Sequence, residues 1–223
     1  MTELYKTLIY DQRYLLILNG LKNTIIITIG ALIIGIAIGI LITIVQNNYK
    51  ANKKNKLLYY LANLYVKIIR GTPVLLQLMI IYYIIFKSSD ISIIIIGIIA
   101  FGINSGAYVS EIFRTGIEAV DKGQMEAGRS LGLKYRQIMN YIILPQAFKI
   151  SLPALGNEFV TLIKETSVAG YIGIIELTKS GDIIASRTYN YFFPLIITAL
   201  IYLVLTLGIT KLLKKLEKGD SNA

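Results

Sequence analysis

Five ionisable residues lie within or at the edges of long apolar stretches, where a charge is costly to bury and is therefore a candidate for function. They are Lys67, Arg70, Glu111, Lys149 and Glu158. Lys67, Glu111 and Lys149 stand nearer one end of their stretches, where a long side chain can reach the polar surface. Glu158 stands near the middle, and a carboxylate there can bind an ammonium group. It has two open roles, a ligand contact or a structural ion pair.

Several polar residues could complete a site around Glu158. Asn157 and Asn104 offer amide hydrogen bonds, and Thr161 and Glu165 complete the candidate substrate-binding set. The chemistry that these residue types allow is recognition by charge and hydrogen bonding. Histidine and cysteine are both absent. We therefore exclude thiolate metal sites, disulfides, and hydrolases or haem proteins that need a histidine.

The composition places the chain in a membrane. Hydrophobic residues make up 55% and charged residues 16% of 223 residues, and the mean hydropathy is +0.62. Soluble domains carry about 25% charged residues. The net charge of +10 is explained better by basic cytoplasmic loops than by nucleic-acid binding.

The apolar residues fall into five stretches, each close to the roughly 20 residues that a helix needs to cross a bilayer. They are residues 24–45, 57–86, 91–110, 138–163 and 188–210. The second is interrupted by Pro73, so we predict a long kinked span there. Arg70 is predicted to hold this kink, with Glu158 or Glu111 as its partner. Residues 166–175 are too short to cross and are predicted to form a re-entrant or interfacial piece.

Basic residues set the predicted orientation, because they accumulate in cytoplasmic loops. If the N-terminus is outside, the inside segments hold 13 Lys and Arg and the outside segments hold 6. The sequence therefore predicts an all-α membrane protein with about five transmembrane helices, an external N-terminus and a cytoplasmic C-terminus. Gly35 and Gly39 allow a close helix contact, which we expect to form within the chain rather than between two copies.

The polar segment between the third and fourth stretches can form a compact helix. Asp121 is a plausible N-cap, and residues 124–131 are predicted to form a short helix that Gly132 ends. Pro145 is expected to mark a kink or a helix start. Such a helix could transmit a push from a soluble partner, and the alternative is an ordinary solvated loop helix.

This segment resembles the cytoplasmic signature of permease subunits of ABC importers. The matching positions are Glu126, Ala127, Gly132, Ile142, Leu144 and Pro145. One departure is Gly128, where the family more often has Ala. A Gly there costs roughly 1 kcal/mol of helix propensity, which we expect to be tolerated.

Three further motifs resemble the polar-amino-acid branch of that family. They are Arg70-Gly71-Thr72-Pro73, the stretch 154–159 continuing to 164–167, and the stretch 104–111. The resemblance covers residues 19–213, nearly the whole chain. It implies a type I importer transmembrane domain at 19–213, with a coupling segment at about 121–136. Residues 1–18 would form an external or interfacial segment, and residues 214–223 a basic cytoplasmic tail.

The resemblance also implies an assembly and roles. Two cytoplasmic ATPase subunits, an external solute-binding protein and a second permease, identical or similar, would surround the chain in a bacterial-type cytoplasmic membrane. The substrate would be a polar amino acid, moved by alternating access. ATPase coupling would involve the signature residues with Gly128. Arg70, Gly71, Thr72 and Pro73, with the Thr166–Ser167 pair as an outer gate, would be structural or gating residues.

The chain itself carries no phosphate loop, so ATP and Mg²⁺ would be bound by the partner ATPase. We predict no catalytic residue, no metal site and no cofactor in this chain. An alternative class is a self-sufficient secondary transporter or channel for small polar solutes. Against it, we find no internal repeat, which secondary transporters often show.

Overall fold

The structure, a computed structural model, describes the backbone of residues 3–220 and the side chains of residues 4–215, and this part is helical with no strand. The helices are α1 (Glu3–Leu8), α2 (Arg13–Asn52), α3 (Lys56–Arg70), α4 (Val74–Ile80), α5 (Ile93–Glu118), α6 (Lys122–Ser130), α7 (Tyr135–Ile138), α8 (Leu144–Glu165), α9 (Leu177–Thr188) and α10 (Phe192–Asp220). Short 3₁₀ segments occur at Tyr10–Gln12 and Thr166–Ile172, and π-helical turns follow α4 and α7. The all-α membrane class is confirmed.

Three helical segments are long and apolar enough to cross a membrane. They are Tyr10–Asn52, Ile93–Glu118 and Phe192–Lys215, and the bent pair Lys56–Arg70 with Val74–Ile85 makes four if it is one span. The predicted count of five is not reached by this criterion among the described residues. The missing one is α8, whose polar residues lower its hydropathy. The orientation across the membrane stays a prediction.

The predicted kink near Pro73 is a sharp break. The axes of α3 and α4 differ by 111°. Gly71 caps the end of α3, and Pro73 adopts an extended backbone that begins α4. Proline suits a helix start because its missing N–H would have no partner there. The Arg70–Pro73 motif therefore divides the predicted second span into two helices.

Glycines bring α2 and α5 into close contact. A Cβ added at Gly35 would lie 2.7 Å from Ser105 Oγ, and one added at Gly39 would lie 2.5 Å from Val109 Cγ1. Both distances are too short for a real Cβ, so only glycine permits this approach. The Gly35 and Gly39 spacing serves contact within the chain, as predicted.

The main core joins α2, α4, α5 and α8 to the 3₁₀ segment Thr166–Ile172. Phe101 of α5 and Ile27 of α2 are fully buried at its centre, with Leu162 of α8. Ala169 and Ile172 belong to the same cluster. The short piece at 166–175 thus packs into the protein core, and its re-entrant or interfacial position in the membrane stays a prediction.

The two ends of the chain are helical. The predicted external segment 1–18 contains α1 and the start of α2. Helix α10 continues to Asp220, so most of the predicted basic tail prolongs the last helix. Residues 1–2 and 221–223 of these two segments lie outside the described residues.

Candidate functional site

Glu158 is buried between α8 and α5. It is 9% exposed, and its Oε1 accepts a hydrogen bond from Ser105 Oγ over 2.7 Å. Ser105 itself is fully buried and stands against Gly35 of α2. Among the described residues Glu158 makes no ion pair. The structural ion pair considered for this residue is therefore not formed.

Asn104 lies one residue before Ser105 and belongs to a second polar contact. Its Nδ2 donates to Gln77 Oε1 of α4 over 2.9 Å. Its Oδ1 is buried and has no hydrogen-bond partner within the described chain. Such an acceptor is unusual, because buried polar groups are nearly always paired. One turn of α5 therefore carries both the unpaired acceptor Asn104 Oδ1 and the Ser105 hydroxyl that binds the Glu158 carboxylate.

Gln77 fastens the break between α3 and α4, and the sequence analysis did not assign it a role. Its Nε2 donates to the Ile69 carbonyl at 2.8 Å, and to the Thr72 carbonyl and hydroxyl at 3.0 Å and 2.7 Å. Helix ends leave carbonyls without partners, and the Gln77 amide satisfies two of them. Its position four residues after Pro73, one turn into α4, could have indicated in the sequence that it contacts the break. Through Gln77, the break is joined directly to Asn104.

The other predicted substrate residues are divided between two faces of α8. Thr161 and Glu165 are half-buried and lie three and seven residues after Glu158, on the same face. Asn157 is exposed, because the preceding residue on a helix points about 100° away. The structure therefore places Thr161 and Glu165 on the Glu158 face of α8 and leaves Asn157 outside it, while Asn104 contacts Gln77 of α4.

Arg70 pairs with Glu111 and not with Glu158. Its Nη1 lies 3.5 Å from Glu111 Oε1, and Arg114 binds the same carboxylate through Nε and Nη2 at 2.9 Å and 2.6 Å. Arg114 also pairs with Glu118, which accepts from Lys50 Nζ at 3.1 Å. The result is a chain of alternating charges across α3, α5 and α2.

Only part of this series of ion pairs could be recognised from the sequence. Glu111, Arg114 and Glu118 have the i, i+3 and i+7 spacing of one helix face, which could have indicated it. The side chains of Arg70 and Glu118 are 42% and 47% exposed. Exposed ion pairs contribute only about 0–1 kcal/mol each, so the chain positions helices more than it stabilises them.

Helix α6 has the caps that the sequence predicts. Asp121 Oδ1 accepts from the Gly123 N–H at 2.6 Å, and Gly132 has a left-handed φ of 78°. The Leu133 N–H donates to the Gly128 carbonyl at 3.1 Å, and the Gly132 N–H to the Arg129 carbonyl at 2.9 Å. These two bonds form a Schellman motif, which confirms that Gly132 ends the helix.

The packing of α6 explains why glycine occupies position 128, which the resemblance did not explain. It is the one buried residue of α6, and a Cβ there would lie 2.8 Å from Ile138 Cγ1. Ile138 is fully buried in a cluster with Val120 and Met139. Glycine at this position therefore lets α6 lie directly on α7. The helix propensity lost to glycine is offset by this contact.

The opposite face of α6 is open. Glu126 and Ala127 are exposed, and Leu131 is 80% exposed. The helix is thus held on one side by Ile138 and presented on the other.

The remaining predicted residues frame α8. Leu144 and Pro145 are exposed at its first turn, directly after the π-helical turn Met139–Ile143. The kink or helix start predicted near Pro145 corresponds to this change from π-helix to α-helix within a continuous helical segment. Thr166 is buried at the other end and donates to the Ile163 carbonyl at 2.8 Å, and Ser167 is half-buried. The structure does not test the gate predicted for Thr166 and Ser167.

Comparison with known proteins identifies the class. Residues 35–219 match the family of binding-protein-dependent transport system inner membrane components. The chain is 43% identical over 213 residues to GlnP of Rickettsia typhi, named provisionally as a glutamine transport system permease, with 94% of each chain covered. It is 39% identical over 205 residues to the arginine transport system permease protein ArtQ of Bacillus subtilis, with 91% of each covered.

A solved structure agrees with these relatives. The crystal structure of an amino acid ABC transporter with histidines superposes with a TM-score of 0.85 at 43% sequence identity, covering 94% of this chain and 96% of that one. The chain belongs to the family of binding-protein-dependent transport system inner membrane components and has the type I ABC importer transmembrane fold. It is a transport permease subunit, and membership implies a binding protein and an ATPase as partners. The alternative of a self-sufficient transporter or channel is thereby set aside.

Proposed function

We propose that this chain is the permease subunit of an ATP-driven importer of polar amino acids, and that Glu158 binds the ammonium group of the substrate. The observation that carries this proposal is a carboxylate buried in α8 with Ser105 as its hydrogen-bond partner and no cation beside it. A buried carboxylate without a cation is costly. An amino acid entering the path would supply that cation.

The polar groups around Glu158 support an amino acid as the ligand. Asn104 Oδ1 is an unused acceptor one residue away from Ser105 on α5. It can accept a hydrogen bond from another part of the substrate, such as a side-chain amide or guanidinium. The relatives are named for glutamine and for arginine. These amino acids share an α-ammonium and differ in side-chain charge, so we assign Glu158 to the shared group.

The energy for transport would come from the partner subunits. We propose two ATPase subunits, one against the exposed face of α6 in each of two permease copies. The second copy is either identical or a similar permease, and an external binding protein delivers the substrate. ATP and Mg²⁺ belong to the ATPase, so this chain is a non-catalytic subunit of the bacterial cytoplasmic membrane. Closure of the ATPase pair would push α6, and the helices behind it would alternate between two open states.

The test is the uptake of radiolabelled glutamine and arginine by cells that express the complete transporter with Glu158→Gln. Removing a charged hydrogen-bond partner costs about 1.5–3 kcal/mol, so we expect KM to rise roughly 10- to 100-fold for both substrates alike. Asp90→Asn makes the same chemical change on the exposed link between α4 and α5 and serves as the control. Permease abundance and co-purification of the ATPase report assembly.

Each outcome has a distinct meaning. Unchanged kinetics in Glu158→Gln would remove this residue from the substrate path. A loss confined to arginine would show that Glu158 recognises the side chain and not the α-ammonium. The conservative variant Glu158→Asp keeps the charge and is expected to recover part of the uptake.

A further inference from the structure

A deep apolar groove runs between α2, α5, α8 and the end of α10. Its volume is about 950 Å³. Its walls are formed by aliphatic and aromatic side chains, for example Ile40, Phe148, Leu152 and Phe159. Phe148 is 52% and Ile40 42% exposed, so the walls are not covered by the rest of the chain. A cavity of this size matches the upper range of ligand pockets.

The groove is separate from the candidate substrate site. On α8 its lining residues lie on the face that carries Phe148, Leu152 and Phe159. Glu158 points about 100° away from Phe159, toward Ser105 of α5. Of the described residues that line the groove, neither Glu158 nor Ser105 is one. An occupant of the groove would therefore contact side chains other than the Glu158 and Ser105 pair.

Only one end of the groove is lined by strongly polar side chains. Asn47 and Asn48 of α2 face Arg136, Asn140 and the phenol of Tyr135 across this end. Burial raises the pKa of Tyr135, so its hydroxyl is a neutral hydrogen-bond donor. This rim offers a guanidinium, a phenol and three amides within one opening, which together suit a phosphate group.

The rim lies on the side of α6, which the predicted orientation places at the cytoplasmic membrane surface. Ile138 of α7, next to the rim residues, packs against Gly128 of α6. From Leu32 at the far end of the groove to Asn48 at the rim, α2 rises roughly 24 Å at 1.5 Å per residue. That length exceeds one leaflet, which is roughly half of a 30 Å hydrocarbon core. A fatty acyl chain can lie along it with its head group at the rim.

The surroundings of the rim carry positive charge. The turn after α2 contains Lys53 and Lys54, and α3 begins with Lys56. All three are exposed, and no acidic residue occurs from Gln46 to Leu57. Basic side chains next to a membrane helix attract anionic lipid by about 1 kcal/mol each. This charge selects an anionic head group over a zwitterionic one.

The geometry points to a binding site for an anionic phospholipid, with one or both acyl chains in the groove and the phosphate at Arg136. This assignment goes beyond the transport function and does not depend on it. A second copy of the chain is disfavoured as the occupant, because the groove is enclosed by four helices of one chain and its polar groups gather at one end. A protein surface would distribute them along the contact.

The test uses a feature of the sequence, since the chain contains no tryptophan. We would place a single reporter in the wall of the groove with Leu152→Trp, and a control reporter on the exposed side of α10 with Leu207→Trp. The full chain, with any subunits that co-purify, is reconstituted in phosphatidylcholine nanodiscs that contain a few per cent of either brominated phosphatidylglycerol or brominated phosphatidylcholine. The preparation without a reporter gives the background fluorescence.

We expect brominated phosphatidylglycerol to quench the Leu152→Trp reporter with about fivefold preference over brominated phosphatidylcholine, the ratio that corresponds to about 1 kcal/mol. The Leu207→Trp reporter should respond equally to both lipids. Adding Arg136→Gln should remove most of the preference, whereas Lys87→Gln, at an exposed position on the opposite link, should leave it unchanged.

Three results would overturn the proposal. Equal quenching of the two reporters by both lipids would mean that the groove holds bulk lipid without selection. An undiminished preference in Arg136→Gln would remove the rim from the site. The absence of quenching at Leu152→Trp, together with a disulfide between two copies of a Leu152→Cys variant, would show that a second chain fills the groove.

Discussion

The polar cluster in the helical bundle and the coupling segment at α6 are built from opposite kinds of contact. In the cluster, Glu158 meets Ser105 across 53 positions of sequence, and Asn104 meets Gln77 across 27. In the coupling segment, the N-cap and the Schellman motif join residues two to five positions apart. The cluster depends on how the helices pack, whereas the ends of α6 are determined by hydrogen bonds between residues close in sequence.

The difference extends to energy. Gln77, Asn104 and Glu158 are buried, and losing a partner there exposes the full cost of an unpaired polar group. On α6 most side chains are in solvent, so a lost contact is replaced by water. Substitutions in the cluster should therefore act mainly on stability and substrate binding. Substitutions on α6 should act mainly on communication with the ATPase.

The largest loss of stability is expected from Gln77→Ala. Removing this amide orphans the carbonyls of Ile69 and Thr72 and the Nδ2 of Asn104. Only Asn104 is fully buried, since Ile69 is half-buried and Thr72 exposed. The free energy of unfolding should therefore fall by about 1–3 kcal/mol, the cost of one buried unpaired group. Unfolding in mixed micelles measures it, with Gln124→Ala, an exposed amide on α6, as the control. A loss no larger than that of Gln124→Ala would mean that the break is held by other contacts.

Gly132→Asp tests the coupling segment. The open space around Gly132 leaves room for a side chain, and its φ of 78° is one that Asn and Asp adopt more readily than other residues. We therefore expect the helix to persist, while the new charge enters the partner contact and lowers uptake at least about tenfold, an effect of roughly 1.4 kcal/mol or more. ATP hydrolysis should continue without transport. Gly132→Asn, which has the same shape without the charge, is the matched control.

Normal uptake in Gly132→Asp would contradict the docking of an ATPase at this turn. Equal loss in the Asp and Asn variants, with a lower melting temperature, would indicate that the backbone of the Schellman motif matters and that the charge does not.

These two regions also show what the sequence could and could not predict. Asp121 and Gly132 were identified correctly because a cap acts on residues within one turn. The break at Pro73 was expected for the same reason. The partner of Arg70 was left between Glu111 and Glu158, because the choice depends on how α3 lies against α5. Ser105 and Gln77 were missed because their partners are brought together only by folding.

Asn157 shows why residues adjacent in sequence need not face the same site. Its place next to Glu158 in sequence suggested a shared site, yet adjacent residues of a helix face directions about 100° apart, and Asn157 is exposed. The spacing of Glu158, Thr161 and Glu165 was the better guide. Three or four spans meet the length and hydropathy criterion, and the fifth predicted span, α8, does not meet it because it carries polar residues of the cluster.

Gly128→Ala sharpens the comparison from inside the coupling segment, since Gly128 is the position where α6 depends on packing. The added Cβ would stand 2.8 Å from Ile138 Cγ1, and overpacking of this kind costs typically 1–3 kcal/mol. The gain in helix propensity offsets roughly 1 kcal/mol of it. We expect a net loss of about 1 kcal/mol, measured as a lower melting temperature.

A double-mutant cycle with Ile138→Ala identifies the cause of that loss. Truncating Ile138 makes room for the new methyl group, so Gly128→Ala should become neutral or stabilising in that background. If the two effects were simply additive, the steric contact between α6 and α7 would not be the cause.

The smallest effect is expected from Arg114→Gln, which interrupts the chain of charges from Arg70 to Lys50. Its pairs with Glu111 and Glu118 are partly exposed, so the loss should be about 0–1 kcal/mol and should shrink further in high salt. The matched control is Lys179→Gln, which breaks a similar exposed pair with Asp182 on α9. A loss above about 2 kcal/mol that persists in high salt would contradict this expectation. It would show that the ion pairs from Arg70 to Lys50 are desolvated like the buried cluster, because only desolvated pairs resist screening by salt.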